Sequence, residues 1–189
     1  MQVVSRTDLI LKLFFICAAM ILTGCAQVPG YTVSPHNVVN IREARNNISL
    51  GEFSGGGSSV SCRDQFIFAD FNGKEAEKDK AYALYIRRAF EQELASAGVK
   101  PGLPSSKISL KLLNVDTHCG IFQGAYWTLE AEVTMEGKAP FIVKSQRDFE
   151  FSISGERIVK DAAAAFPSSV QAFIAAVIAH PTFRAAVYQ

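Results

Sequence analysis

Apolar residues recur at steps of three and four in two stretches of the chain, which is the pattern of a helix with one buried side. The first stretch covers residues 77–97, and Gly98 and Pro101 after it favour a helix end. Its apolar positions are Tyr82, Ile86, Phe90, Leu94 and Ala97. We therefore predict a helix whose apolar stripe packs against a core.

The second helical pattern runs from about Arg157 to Ala179. Its apolar positions are Val159, Ala163, Phe166, Val170, Phe173 and Val177. Because Pro167 lacks a backbone N–H, we expect it to kink or split this helix. Pro181 then starts a short final turn that carries Phe183 and Val187.

Alternation of apolar and polar residues between these helices predicts strands with one buried and one solvent-exposed face. The clearest strand alternates Trp127, Leu129, Ala131, Val133 and Met135 with Thr128, Glu130, Glu132, Thr134 and Glu136. Residues 136–138 favour a hairpin turn, so we expect the next strand, from Phe141, to be an antiparallel neighbour. An earlier strand starts near Ile108, and residues 47–53 and 65–70 favour two more.

These patterns predict one α+β domain over residues 46–189, in the order β(β)-α-β-β-β-α. We expect two layers, an antiparallel sheet of about four strands with two helices on one face. Residues 25–45 contain Val28-Pro29-Gly30 and Ser34-Pro35, which break regular structure. We therefore expect this segment to be a tether that joins the domain to whatever precedes it.

The first 24 residues have the layout of a signal peptide. Arg6 and Lys12 precede an apolar run from Leu13 to Leu22. Ten residues in a helix span about 15 Å, half of a hydrocarbon core of roughly 30 Å, which is too short to cross a membrane. A short buried helix is the alternative to a signal sequence.

The apolar run ends in Leu22-Thr23-Gly24-Cys25, which resembles the bacterial lipobox of an aliphatic residue, two small residues and a cysteine. The resemblance implies cleavage before Cys25 and attachment of a diacylglyceryl group and a further acyl chain to that residue. Two or more chains anchor a protein stably to a membrane. Ala26 in the next position favours the outer membrane over the inner one. An ordinary signal peptide with an incidental cysteine is the other interpretation.

Cys62 and Cys119 are the remaining cysteines of the mature chain, and in an oxidising compartment they most simply form a disulfide. The loop that they would close contains 58 residues, counting both ends. Chain entropy gives such a bond roughly 4 kcal/mol of stabilisation. A redox or metal pair is the alternative, but the chain has no CxxC, and its histidines, His36, His118 and His180, are scattered.

Charge excludes one broad class of function. The precursor has a net charge of +1, and removal of Arg6, Asp8 and Lys12 with the signal peptide leaves 17 basic and 17 acidic side chains. A nucleic-acid-binding protein needs a basic surface to displace counterions, so we expect no nucleic-acid partner.

No set of residues predicts a catalytic or metal site, and we expect no cofactor apart from the lipid on Cys25. Glu130, Glu132 and Glu136 share a strand face and could act in acid–base chemistry, but a solvated face is the simpler interpretation. Phe122 and Tyr126, near a loop, are better candidates for contacts with a partner than Trp127, whose register favours the core. The predicted contact surface is therefore Phe122, Tyr126, Glu130 and Glu132.

The arrangement as a whole resembles small proteobacterial outer-membrane lipoproteins of unknown function. The lipobox is followed by Tyr85-Ile86-Arg87, Glu93-Leu94 and Ala97-Gly98 in a helix, then by strands and by Ala165–Gln171 and His180–Phe183 in a closing helix. Over residues 22–183 this is similar to YajG-like lipoproteins and, more distantly, to auxiliary lipoproteins of lipid transporters and of lipopolysaccharide assembly. Only the lipobox is a specific motif.

The resemblance implies a non-enzymatic lipoprotein on the periplasmic side of the cell envelope, which docks a protein of an assembly or transport machine. Two other functions fit the sequence. One is a module that binds a lipid or peptidoglycan fragment between helices and sheet, and the other is a periplasmic hydrolase.

Replacing Cys25 with Ala tests the predicted anchor. The variant should lose metabolic palmitate labelling, because no other residue of the lipobox offers a sulfur atom to the diacylglyceryl group. A Cys17→Ala variant, which changes a cysteine inside the signal peptide, is the matched control and should label normally. Normal labelling of Cys25→Ala would contradict the lipoprotein interpretation.

Overall fold

A computed structural model describes residues 26–43, 47–55, 66–67, 80–99, 105–120, 124–152 and 155–188. The signal peptide with Leu22, Thr23 and Gly24, the lipidation residue Cys25, and also Cys62 and Phe122 lie outside the described residues. The predicted lipid anchor and the predicted disulfide therefore stay predictions.

Four strands form the main sheet: β2 (Asn47–Ser54), β4 (Ser105–Gly120), β5 (Gly124–Met135) and β6 (Phe141–Phe149). Their order across the sheet is β2-β4-β5-β6. Two further strands, β1 (Ala26–Gln27) and β3 (Phe66–Ile67), form a separate parallel pair. The alternating residues of β5 take up the faces expected from the sequence, with Trp127, Leu129 and Val133 buried.

The sheet is mixed, so the prediction of an entirely antiparallel sheet is wrong for one strand. β4, β5 and β6 are antiparallel neighbours, as expected, but β2 runs parallel to β4. The chain between β2 and β4 contains a helix, and such a crossover brings two consecutive strands into the same direction.

The described residues contain four helices: α1 (Pro35–Arg42), α2 (Ala81–Ser96), α3 (Gly155–Ala179) and α4 (Pro181–Val187). The predicted stripes of α2 and α3 are buried, which confirms both helices and the α+β class. α3 continues through Pro167, so the expectation that this residue splits the helix is wrong. The buried Phe166 and Val170 hold the two halves of α3 against one core, and the hydroxyls of Ser168 and Ser169 donate to Ala165 O.

Trp127 joins the two layers at the centre of the core. Its ring is fully buried and lies 4.9 Å from the ring of Phe166 on α3 and 6.5 Å from that of Tyr82 on α2. Its indole Nε1 donates to Ala162 O at 2.9 Å, which satisfies the only polar atom of the side chain. Both helices therefore cover the same face of the sheet.

The segment expected to be a tether is structured over residues 26–43, which corrects that prediction for this part of it. β1 and α1 lie within it, and Ala26, Val28 and Ile41 belong to the hydrophobic core. Ser34 and Pro35, interpreted as breakers, are the N-cap and the first residue of α1. Both residue types favour a helix start as well as a turn, and the sequence alone did not distinguish the two.

α3 is also long and apolar enough to cross a bilayer, with a mean hydropathy of 1.7 over its most apolar window. Half of that window is buried inside the domain. The core helix of a folded domain meets the same criteria, because its apolar side packs on the sheet.

Candidate functional site

Residues 26–42, here called the strap, cross the outer side of the helical layer. Later residues of the strap contact later residues of α2. The Tyr85 hydroxyl donates to Pro29 O at 2.8 Å, and Arg42 Nη2 donates to Ser96 O at 3.2 Å. At its far end the Tyr188 hydroxyl donates to Asn40 O at 2.8 Å. The strap thus begins beside the first half of α2 and ends beside the last turn.

Glu93 is the buried centre of the strap's attachment. Its side chain, on α2, is 0% exposed. Its Oε1 atom accepts hydrogen bonds from the Tyr31 hydroxyl, from the Ser34 backbone N–H at 2.9 Å and from Asn37 Nδ2 at 3.3 Å. Three donors from the strap therefore converge on one oxygen atom of the domain.

A second set of bonds joins the strap to α3. Asn37 Nδ2 also donates to Gln171 O at 3.1 Å, and Gln171 Nε2 donates to Thr32 O at 2.7 Å. Glu93 and Asn37 nevertheless keep one buried acceptor each, Oε2 and Oδ1, with no hydrogen-bond donor among the described residues. A buried acceptor without a donor costs free energy, so packing of the strap must offset that cost.

Burial also sets the protonation of the tyrosines in this attachment. Burial raises the pKa of Tyr31 above its usual range, and the hydrogen bond to Glu93 raises that pKa further. Burial likewise raises the pKa of Tyr85. Both phenols are therefore protonated at neutral pH and act as hydrogen-bond donors. The pKa of Tyr31 is higher in the folded than in the unfolded chain, so its contribution to stability is lost only as the pH rises above about 10, the pKa of tyrosine in the unfolded chain.

The face of the sheet opposite the helices, here called the outer sheet face, carries most of the predicted contact surface. Tyr126, Glu130 and Glu132 lie on it and are half-buried, whereas Phe122 lies outside the described residues. Glu130 is directly opposite Lys144 on β6, and Glu132 is directly opposite Lys111 on β4. Opposite charges thus face each other across strands, as a solvated face would have them.

Two apolar side chains interrupt this polar surface. Ile142 on β6 is 50% exposed and lies opposite Glu132. Leu113 is 38% exposed at the irregularity where β4 and β5 change register. The sequence did signal Ile142, because it lies between the buried Phe141 and Val143 and must therefore point to the other face.

Tyr126 lies at the end of the outer sheet face, where its ring stacks on His118 with centroids 5.0 Å apart. His118 Nε2 is buried and has no hydrogen-bond partner among the described residues. The other two histidines have structural contacts. His180 caps α4 and stacks on Phe141, and His36 bonds Asn40.

Metal-binding side chains do not gather in the part of the chain that the structure describes, where no three His, Cys, Asp or Glu residues are arranged to hold an ion. Cys119 is half-buried in β4, opposite Ala125. The predicted pairing of Cys119 with Cys62 is not tested by these contacts.

A groove of about 340 Å³ lies between α2 and β2. Its apolar walls include Ile48, Leu50, Leu94 and Val99. Arg87 crosses one end, where its guanidinium donates to Gly51 O at 2.7 Å and to Glu91 Oε1 at 3.0 Å. This volume is at the lower end of the range for small-molecule sites.

The strap was not anticipated as a site. One signal was present: Glu93 follows Ile86 by seven residues, so both lie on the same side of α2, and a carboxyl group on a buried helix face requires polar partners. Nothing in the sequence indicated that residues 31–37 supply them.

Neither a protein-family model nor a curated protein sequence matches the chain, so comparison with known proteins does not identify these sites. The outer sheet face, the strap and the groove are therefore interpreted from their own chemistry.

Replacing Glu93 with Ala should lower the free energy of unfolding by about 3 kcal/mol, because three donors of the strap, one of them buried and two part-buried, lose their acceptor. Urea denaturation of the mature chain would measure the change. Glu91→Ala is the matched control on the same helix: its side chain is 42% exposed and pairs with Arg87, so it should cost about 0.5 kcal/mol or less. Equal losses for the two variants would contradict the attachment described here.

Proposed function

We propose that this protein is a lipid-anchored, non-enzymatic component of the cell envelope that docks a protein partner on its outer sheet face. The lipobox at Leu22–Cys25 supports the anchor, and the outer sheet face, on which none of the described helices packs, supports the docking role. The observation that carries the proposal is that α2 and α3 both pack on one face of the sheet, whereas the other face, from Lys107 to Gln146, carries exposed and half-buried side chains and no described helix.

The chemistry of that face defines the partner. Cross-strand pairs of Lys with Glu neutralise each other, and Ile142 adds an apolar centre. Such a surface fits another protein with mixed charge and a small apolar patch, since interfaces combine an apolar core with a polar rim. It does not fit a polyanion, which would need a field of one sign.

Site-specific photo-crosslinking in living cells tests the docking role. A photoreactive residue in place of Glu132 or Ile142 should give one dominant adduct with an envelope protein, identified by mass spectrometry. The same residue in place of the exposed Ala164 on α3 is the matched control, and it should not give that adduct, because it lies on the helical layer. Equal adducts from both layers, or none from the sheet, would contradict a docking function of this face.

The groove between α2 and β2 favours a second function, binding of a small lipid or peptidoglycan fragment. Its apolar walls would accommodate an acyl chain or a ring, and Arg87 at its end offers a cation for an acidic group. The groove lies at the edge of the sheet rather than between the layers, where Trp127 and Phe166 fill the core.

Native mass spectrometry of protein purified from membranes tests this second function. A bound fragment should appear as a defined mass increment in the wild type and disappear in Ala95→Trp, which fills the groove from its exposed wall. Ser96→Trp, one residue further and not part of the groove, should retain the increment. A wild type without any increment would count against the binding function.

A further inference from the structure

The strap begins at the residue that directly follows the predicted anchor, so no flexible linker is described between the two. Cys25 directly precedes Ala26, which is 5% exposed, and Val28 is 6% exposed. Neighbouring Cα atoms are about 3.8 Å apart, so one such step separates the predicted lipidation residue from the buried Ala26 in the chain. A flexible tether of twenty residues would instead hold the domain at a root-mean-square distance of roughly 25 Å.

The direction of the strap shows which end of the domain lies nearest the anchor. Pro29 meets Tyr85, and one turn earlier on the same helix Tyr82 packs on Trp127 of β5. At the other end of the sheet, Ser106 on β4 bonds Ala186, beside the end of the strap at Asn40 and Tyr188. The anchor therefore belongs to the end that holds Trp127 and Tyr126.

The surface beside the first residues of the strap has the chemistry of a membrane interface. A cavity of about 170 Å³ there is lined by Tyr31, Tyr85, Arg88 and Gln92 together with the backbone of the strap. Among the described residues that line it, Arg88 is the only charged one, and two of its guanidinium nitrogens, Nε and Nη2, are buried. Tyrosine and arginine are favoured at the level of lipid headgroups, where a carboxylate would be repelled by anionic lipid.

We propose that this end of the domain, with the cavity at Tyr31, Tyr85 and Arg88, rests directly on the phospholipid headgroups of the leaflet that holds the anchor. This inference depends on the proposed lipidation of Cys25. The strands then run away from the membrane: Tyr126 and Met135 are nine residues apart on β5, which corresponds to about 30 Å. The outer sheet face stands upright and remains open to a partner.

Energy transfer to the bilayer measures this placement. The mature, acylated full chain would be incorporated into vesicles of phosphatidylethanolamine and phosphatidylglycerol that carry an acceptor dye on the headgroup. A fluorescent amino acid replaces either Glu150, exposed at the anchor end beyond the Phe149–Ala125 pair, or Lys138, exposed in the opposite turn. We expect transfer from position 150 to be several-fold more efficient than from position 138.

Flotation of the same samples separates the two claims. If the chain floats with the vesicles and both positions transfer equally, the domain does not rest on the bilayer by this end, and the inference is overturned while the anchor stands. If the chain does not float, the proposed anchor fails and this inference fails with it. Flotation together with the expected difference supports both.

Discussion

A carboxyl group in the interior of the helical layer, that of Glu93, determines how the start of the described chain is held. One of its oxygens accepts from Tyr31, from the Ser34 backbone and from Asn37, so a segment of low hydrophobicity is fixed to a domain that would otherwise be a plain two-layer α+β fold. Burial of a carboxyl group is costly unless donors surround it, and here all three donors come from the strap. The burial of Glu93 and the position of residues 26–42 therefore depend on each other.

The same interaction links the fold to the proposed role in the envelope. Because the strap is attached to α2 and α3, the distance from the proposed anchor to the domain would be set by packing rather than by a random chain. The helical layer carries the strap, and the proposed docking surface is the opposite side of the sheet, on which none of the described helices packs. The proposed anchoring and docking roles thus belong to opposite layers of one small domain, and between these layers the rings of Trp127 and Phe166 pack together in the buried core.

Periodicity predicted the parts of the fold that bury long apolar patterns. In the stripe from Val159 to Val177, and in the alternation from Trp127 to Met135, several residues indicate the same buried face. Both elements are confirmed. The direction of β2 depends on the connection to β4, which no local pattern encodes, and the strap depends on contacts such as Asn37 with Gln171, 134 residues apart in the chain. Eight residues of α1 are too few for a clear period, and Ser34-Pro35 favours a turn and a helix start alike.

Glu130 and Glu132 lie on the face of the sheet opposite Trp127, as alternation along β5 predicts, whereas their role as contact residues, with Phe122 and Tyr126, stays a prediction. The polar attachment of the strap was missed, since it is built from single residues of three different elements.

The most direct measurement is site-resolved hydrogen exchange at the Ser34 amide, which donates to Glu93 Oε1 at 2.9 Å. The structure predicts strong protection of this amide in the wild type and its loss in Glu93→Ala under conditions where the amides of β5 stay protected. Exchange of the wild-type Ser34 amide at the rate of an unstructured peptide would contradict the attachment of the strap.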